Sequence, residues 1–266
     1  MTETLAYFSN NALYAATIVY ALGMLSHVAE WAQARQLPAT DATSMSADLV
    51  GVSSSSSAAG APTSTHVLHT YGERWSGRRT HDASWVHRDD AERSDRFGRI
   101  GLSLTVLGAL IQLVGVGARG LAAERVPWGS MYEFAITGSL AVVVAYLFLV
   151  QRYQARWLGL WVTGVVVTLL GIAVLVLYRP VAPLVPALHS YWLVIHVSAA
   201  AIAGGAFTVG ALASGLYLLR ARAEAKAQAN PALPRQGFLE RAPSAAAMDR
   251  VAYRVHAFAF PLWTFA

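Results

Sequence analysis

Five apolar stretches, roughly residues 11–31, 100–118, 132–150, 157–177 and 190–219, dominate this 266-residue chain and decide what it can fold into. Each is long enough to cross a bilayer, which takes about 20 helical residues. In hydrocarbon every backbone N–H and C=O must be satisfied within its own segment, so runs of this kind form helices rather than open strands. A sixth apolar run begins near Val251 and continues through Ala257-Phe-Ala-Phe-Pro-Leu-Trp-Thr-Phe-Ala266. The expected fold is therefore all-α: a polytopic membrane helix bundle with five complete transmembrane helices and the start of a sixth. Composition agrees, with 55% hydrophobic and 13% charged residues and a mean hydropathy of +0.42. Because the last run meets the final residue without a polar flank, the chain reads as part of a longer protein whose remaining residues carry essential chemistry.

The distribution of the 20 Lys and Arg sets the expected orientation. Segments 32–99, 151–156 and 220–254 carry eight, two and seven of them, whereas the alternate segments carry only Arg119, Arg125 and Arg179. Short basic loops are retained in the cytoplasm, so the N-terminus is expected outside, in a multi-pass protein of the cytoplasmic membrane. The pI of 9.7 then reflects retention on one face and attraction to anionic lipid, with no call for nucleic acid. Residues 1–10 hold Glu3 and no basic residue, so they lack the n-region of a cleaved signal peptide. The organisation that follows is a first transmembrane helix in 1–35, a low-complexity cytoplasmic loop in 36–97, and helices two to six in 98–266.

Cysteine is absent, which excludes disulfides, zinc-thiolate sites and a haem-attachment motif belonging to this polypeptide. Ligand chemistry must come from His, Glu, Tyr or Met. Four of the eight histidines, His66, His69, His81 and His87, fall in the Ser/Ala/Thr/Gly-rich loop, whose composition cannot bury enough apolar surface to offset its ordering entropy. They read as incidental. The distal half of the loop, with Trp75, Trp85 and its arginines, suits a lipid headgroup surface.

His196 stands apart, because ionisable residues at the edge of a transmembrane helix usually face a cavity, a partner or a cofactor. With the inner boundary near Leu219, His196 is 23 residues further out. That is roughly 35 Å at 1.5 Å per residue, just past a hydrocarbon core of about 30 Å. There an imidazole can ligate a metal without complete desolvation. Small residues follow it, from Ser198 to Ala206, and permit close approach of a helix or a flat ligand. Upstream, Ser130 and Glu133 have capping-box spacing, and Trp128 and Tyr132 suit an interfacial belt. His27 with Glu30, and His256, share the inner membrane level and form a candidate inner station for haem or a proton. His189, seven residues before His196, is a substitute ligand if the helix is continuous past Pro183 and Pro186.

Three ordered motifs carry a family resemblance: Pro127-Trp-Gly-Ser-Met-Tyr-Glu133-Phe, Ser190-Tyr-Trp-Leu-Val-Ile-His196-Val-Ser, and Phe260-Pro-Leu-Trp-Thr-Phe265. In order, spacing and topology the chain resembles the haem-handling membrane proteins of System II cytochrome c maturation, the CcsA or ResC type. The resemblance covers nearly the whole chain outside 36–97. It implies that His196 is one of two external axial ligands to haem iron, with Trp192, Trp128 and Glu133 bordering the cofactor. It also implies a Trp-rich haem-binding loop, a transmembrane histidine and a second external histidine, none of which lies in these 266 residues.

The function implied is carriage of haem b to the outer membrane face. There it would be held transiently by His196 and a second histidine and presented to apocytochrome c bearing Cys-x-x-Cys-His. A ResB-like membrane subunit is the implied partner, and together the two act as a cytochrome c haem lyase. These 266 residues alone are expected to be inactive. The chain supplies no nucleophile; its task is binding and orientation. Two other classes fit the residues without the resemblance: a permease-like bundle binding a small solute at His196, and a structural membrane subunit.

Overall fold

A computed structural model describes residues 2–34, 79–182, 190–230 and 242–266, among which there are six α-helices and no strand. They are α1 (Thr2–Ala34), α2 (Arg79–Ala123), α3 (Met131–Tyr153), α4 (Gly159–Leu175), α5 (Tyr191–Ala229) and α6 (Ala245–Phe265). A short 3₁₀ turn, Arg156–Leu158, leads into α4. The first five helices contain segments long and apolar enough to cross a membrane: Thr2–Ala32, Asp95–Ala123, Met131–Tyr153, Arg156–Leu175 and Tyr191–Ala229. The all-α bundle read from the hydropathy pattern is therefore the fold. One difference is that α2 begins at Arg79, inside the segment assigned to loop. The apolar run starts only at Asp95, so a hydropathy reading sees 29 of the 45 residues of this helix.

Local signals set the helix ends. At the α2 terminus Glu124 takes a left-handed conformation, φ 53°. Its N–H bonds Leu121 O while the Arg125 N–H reaches Gly120 O; this is a Schellman pattern with Glu in the position usually held by Gly. Trp128 N–H bonds Val126 O across Pro127, an inverse γ-turn that reverses the chain, and Thr137 Oγ1 anchors the link by donating to Pro127 O. Ser130, extended at φ −137° and ψ 161°, then caps α3 by accepting from the Glu133 N–H.

Between α1 and α2 the packing is a ladder. An added Cβ at Gly101 would lie 2.8 Å from the His27 ring, at Gly108 2.8 Å from the Tyr20 ring, and at Gly115 3.2 Å from Leu13. Glu30 fills the same kind of space at Gly98. Gly101, Gly108 and Gly115 are seven residues apart, as are Leu13, Tyr20 and His27, so two antiparallel helices present matching holes and knobs every two turns. Polar bonds tie the rungs: Ser9 Oγ donates to Gly115 O, Tyr20 Oη to Gln112 Oε1, and Ser26 Oγ to Phe97 O. Gln112 Nε2 in turn donates to Ile136 O and Ser139 Oγ, so the buried amide joins α1, α2 and α3.

α3 forms the spine of the core and packs against α2, α4 and α5. Its Tyr132, Ile136, Val143 and Tyr146 are fully buried, together with Val162, Val166 and Leu170 of α4. α5 meets α3 where Gly205 lies on the Ala141 backbone; a Cβ there would be 2.7 Å from the Ala141 carbonyl carbon. α6 lies along α5, with the His256 ring seated on Gly210. α3, α5 and α6 also border a partly open apolar pocket of about 510 Å³, lined by residues that include Phe148, Ile202, Phe258 and Arg254.

Candidate functional site

At the Glu133 end of the bundle, three helix-terminal segments converge on one carboxylate. Glu133 is 1% exposed. Its Oε1 accepts from Arg119 Nε at 3.2 Å, and its Oε2 accepts from Arg125 Nη1 at 2.7 Å and from the Gly129 N–H at 2.9 Å. The Ser130–Glu133 pair thus keeps only half of the capping box. Ser130 Oγ takes the Glu133 N–H, whereas the carboxylate, instead of returning to the Ser130 N–H, bonds two guanidinium groups and the Gly129 N–H.

Arg119 is fully buried and stacks over the Tyr132 ring, 5.0 Å from its centroid. Its Nη2 donates to Arg179 O at 2.6 Å, and Arg125 Nη2 to Ala182 O at 3.3 Å, so the arginines also clamp the segment after α4. A second chain of contacts runs alongside. Tyr132 Oη donates to Asn10 Oδ1, Asn10 Nδ2 donates to Tyr178 Oη, and the Tyr132 and Tyr178 rings meet edge to face. Two polar atoms in the arginine cluster, Arg119 Nη1 and Arg125 Nε, are buried without a hydrogen-bond partner.

His196 is exposed near the start of α5, as is Trp192, 76% exposed and one turn before it. Residues four apart share a helix face, so the indole and the imidazole present one surface. From the Gly205–Ala141 contact, His196 is nine residues towards the start of α5 and Glu133 is eight towards the start of α3. At 1.5 Å per residue these are about 13.5 and 12 Å, the same level along the bundle. Trp128 is half-buried in the link that carries Arg125 to Glu133. His196, Trp192, Trp128 and Glu133 therefore occupy one end of the molecule. His189 lies outside the described residues. α5 starts at Tyr191, after an extended Ser190 with φ −134° and ψ 134°.

At the opposite end His27 is 1% exposed, with Nδ1 3.2 Å from Glu30 Oε2. The ring sits between Gly101 of α2 and Gly159 of α4. A Cβ at Gly159 would lie 2.7 Å from His27 Nε2 and 2.8 Å from Tyr146 Oη. Both of those atoms are buried and without a hydrogen-bond partner. His256 is held elsewhere: its Nδ1 is 2.7 Å from Ala252 O, and its ring lies 5.8 Å from that of Phe207. Tyr146 and Gly210 are each five residues, about 7.5 Å, beyond the Ala141–Gly205 contact. One histidine is enclosed by α1, α2, α3 and α4 and the other rests on α5. Among the described residues no three His, Asp or Glu side chains cluster as a metal site.

The arginines went unread in the sequence, where Arg119 and Arg125 count only as loop charges. The signal was present: Arg119 interrupts the apolar run Leu113-Val-Gly-Val-Gly-Ala-Arg119-Gly-Leu, and a charge within such a run seeks a buried partner. Tyr146 and Gly159, which flank His27 from α3 and α4, carried no comparable signal.

Residues 128–266 match the family model described as cytochrome C assembly protein. The chain is similar to the cytochrome c biogenesis protein CcsA of Synechococcus sp. (strain JA-2-3B'a(2-13)), 32% identical over 130 residues, which is 48% of this chain and 35% of that protein. It is also similar to CcsA of Guillardia theta, 25% identical over 177 residues and covering 62% of this chain and 59% of the relative. CcsA of Picosynechococcus sp. is 34% identical over 107 residues, 39% of this chain and 32% of the relative. The chain thus spans between about a third and three fifths of the length of these curated relatives. No solved structure matches it significantly. A bundle of apolar helices and the match itself over half of the sequence agree: this chain is a multi-pass membrane protein of the cytochrome c assembly family.

Proposed function

We propose that this protein presents haem at the outer face of the cytoplasmic membrane, with its N-terminus and the Glu133 end outside, for covalent attachment to apocytochrome c. The observation that carries the reading is the placement of His196: exposed, on the same face as Trp192, and level with a buried cluster that has more guanidinium than carboxylate. An imidazole suits haem iron, and orphaned guanidinium donors suit an anionic cofactor. In this reading His196 supplies one axial bond, a second histidine of the full-length protein supplies the other, and Trp192 and Trp128 border the porphyrin. Glu133, its oxygens already occupied, acts as a positioning residue for Arg119 and Arg125.

Haem b supplies vinyl groups. Each thiol S–H of an incoming Cys-x-x-Cys-His adds across one vinyl double bond, sulfur to one carbon and hydrogen to the other, with no leaving group. The absence of cysteine from this chain is compatible with that division, since the nucleophiles belong to the substrate. A ResB-like membrane subunit completes the System II assembly, and the pair acts as the haem lyase. His27, Glu30 and Tyr146 form an inner polar station through which a proton or haem enters; His256 is a second inner candidate and His189 a substitute outer ligand.

The test is the absorption spectrum of the full-length protein purified with its partner. Wild type is expected to show a low-spin bis-histidine haem, and His196→Gly a weakened one that added imidazole partly restores by filling the vacated coordination position. An unchanged spectrum and cytochrome c yield in His196→Gly would remove His196 from the mechanism.

A further inference from the structure

We infer that the apolar groove between α3, α5 and α6 holds one acyl chain of an anionic phospholipid, whose phosphate is taken by Arg254 and Arg152. The inference stands apart from haem presentation and requires only that these three helices lie in a bilayer.

The groove follows from the packing order. α6 lies along α5 and α5 along α3, so a gap is left between α3 and α6. Arg254 bridges that gap at one end, its guanidinium 5.3 Å from the centroid of the Tyr153 ring. On α3 the lining residues are Ala141, Val144, Ala145, Phe148, Leu149 and Tyr153, whose spacing is that of one helix face. Phe148, Ile202 of α5 and Phe258 of α6 are each at least half exposed, so the groove opens sideways, towards lipid.

Length selects an occupant from a single leaflet. Ala141 is near the middle of α3 and Tyr153 is its last residue; the twelve residues between them rise about 18 Å, a little more than half of a hydrocarbon core of about 30 Å. No lining residue of α3 lies beyond Ala141, where Gly205 meets the backbone. A helix crossing the whole membrane therefore finds no continuous trough, whereas an acyl chain reaching the bilayer middle does.

Charge selects the headgroup. Arg152 lies 5.6 Å from the same Tyr153 centroid, and Arg250, one turn before Arg254 on the same face, is exposed. Neither Arg152 nor Arg254 forms an ion pair among the described residues. Asp249, the one acid of α6, is five residues before Arg254 and so projects about 140° away around the helix. Glu224 of α5 is engaged by Arg220 and the Ala245 N–H. Basic pockets between transmembrane helices bind anionic headgroups, and each arginine near the membrane surface contributes about fivefold in affinity.

The test is photolabelling of the full-length protein with its partner, reconstituted in phosphatidylcholine vesicles. The probes are trace phosphatidylglycerol with a diazirine near the end of one acyl chain, and phosphatidylcholine with the same chains; labelled peptides are located by mass spectrometry. Wild type should take label at Val144, Phe148 or Phe258 about tenfold more from phosphatidylglycerol. Arg254→Gln should cut that preference by about fivefold, and Arg254→Lys should keep most of it. Ala145→Phe, which fills the groove and leaves its charge alone, should abolish labelling there by either lipid; Ala145→Leu replaces it if thermal unfolding shows misfolding. Arg222→Gln removes an exposed arginine of α5 that does not line the groove and should change nothing. Equal labelling by the two lipids would reduce the groove to ordinary contact with bulk lipid, and absence of label would mean that another helix covers it. An equal loss in Arg222→Gln would leave only diffuse surface charge. Each of these three results would overturn the proposal.

Discussion

Gly205 rests directly on the backbone of Ala141, with space for a hydrogen and nothing larger: a Cβ would approach the Ala141 carbonyl carbon to 2.7 Å and its oxygen to 2.9 Å. This contact joins α3 to α5 and is the reference from which His196 and Glu133 come level.

Gly205→Val should therefore push the two helices apart. Overpacking of this kind costs about 1–3 kcal/mol, and in the full-length protein it should lower both the unfolding temperature in detergent and haem retention. The neighbouring Gly204 meets nothing within 4 Å, so Gly204→Ala is the matched control and should be silent. Equal effects from both substitutions would show that backbone flexibility, and not the α3–α5 contact, is what matters.

Two buried tyrosines offer an opposed pair. Tyr20 Oη donates to Gln112 Oε1 at 2.8 Å, whereas Tyr146 Oη is buried without a partner. Removing a bonded hydroxyl strands its acceptor and costs about 1–3 kcal/mol, while removing an unbonded one is close to neutral or stabilising. Tyr20→Phe should accordingly destabilise and Tyr146→Phe should not, as read by denaturant unfolding in micelles. A comparable loss in Tyr146→Phe would mean that its hydroxyl is engaged by water or ligand beside His27.

Topology can be tested independently of haem. A reporter active only in the cytoplasm should function when fused near Ala61 or Gln228 and fail near Pro183, following the seventeen-to-three division of basic residues. Activity at Pro183 would turn the molecule over and put His196 on the side from which apocytochrome is absent.

Much of the architecture was legible because hydropathy in a membrane chain reports helices almost directly: five of the six helices, and the apolar part of α2, follow from counting apolar residues. The α1–α2 pairing was not. The glycines at 101, 108 and 115 acquire meaning only once Leu13, Tyr20 and His27 are known to face them, and register is a property of two helices together. Glu133 was half legible. Its spacing from Ser130 predicted a cap, and the cap is there, but spacing along one helix cannot report that Arg119 and Arg125 approach from another helix and a link. His27 and Glu30 were paired correctly from their i, i+3 positions, because that contact lies within a single helix.

The glycine ladder also limits how this bundle can change over time. Each rung pairs a residue without a side chain with a large one, and the rungs repeat at whole-heptad intervals. A helix so seated cannot slide by a few residues, because every intermediate offset sets bulk against bulk. A larger residue at 101, 108 or 115 is admissible only if its partner at 27, 20 or 13 shrinks with it. The two helices are thus bound to vary as matched pairs. Since α1 carries Asn10 at one polar cluster and His27 at the other, the ladder also acts as a measuring rod that holds those clusters at a fixed separation.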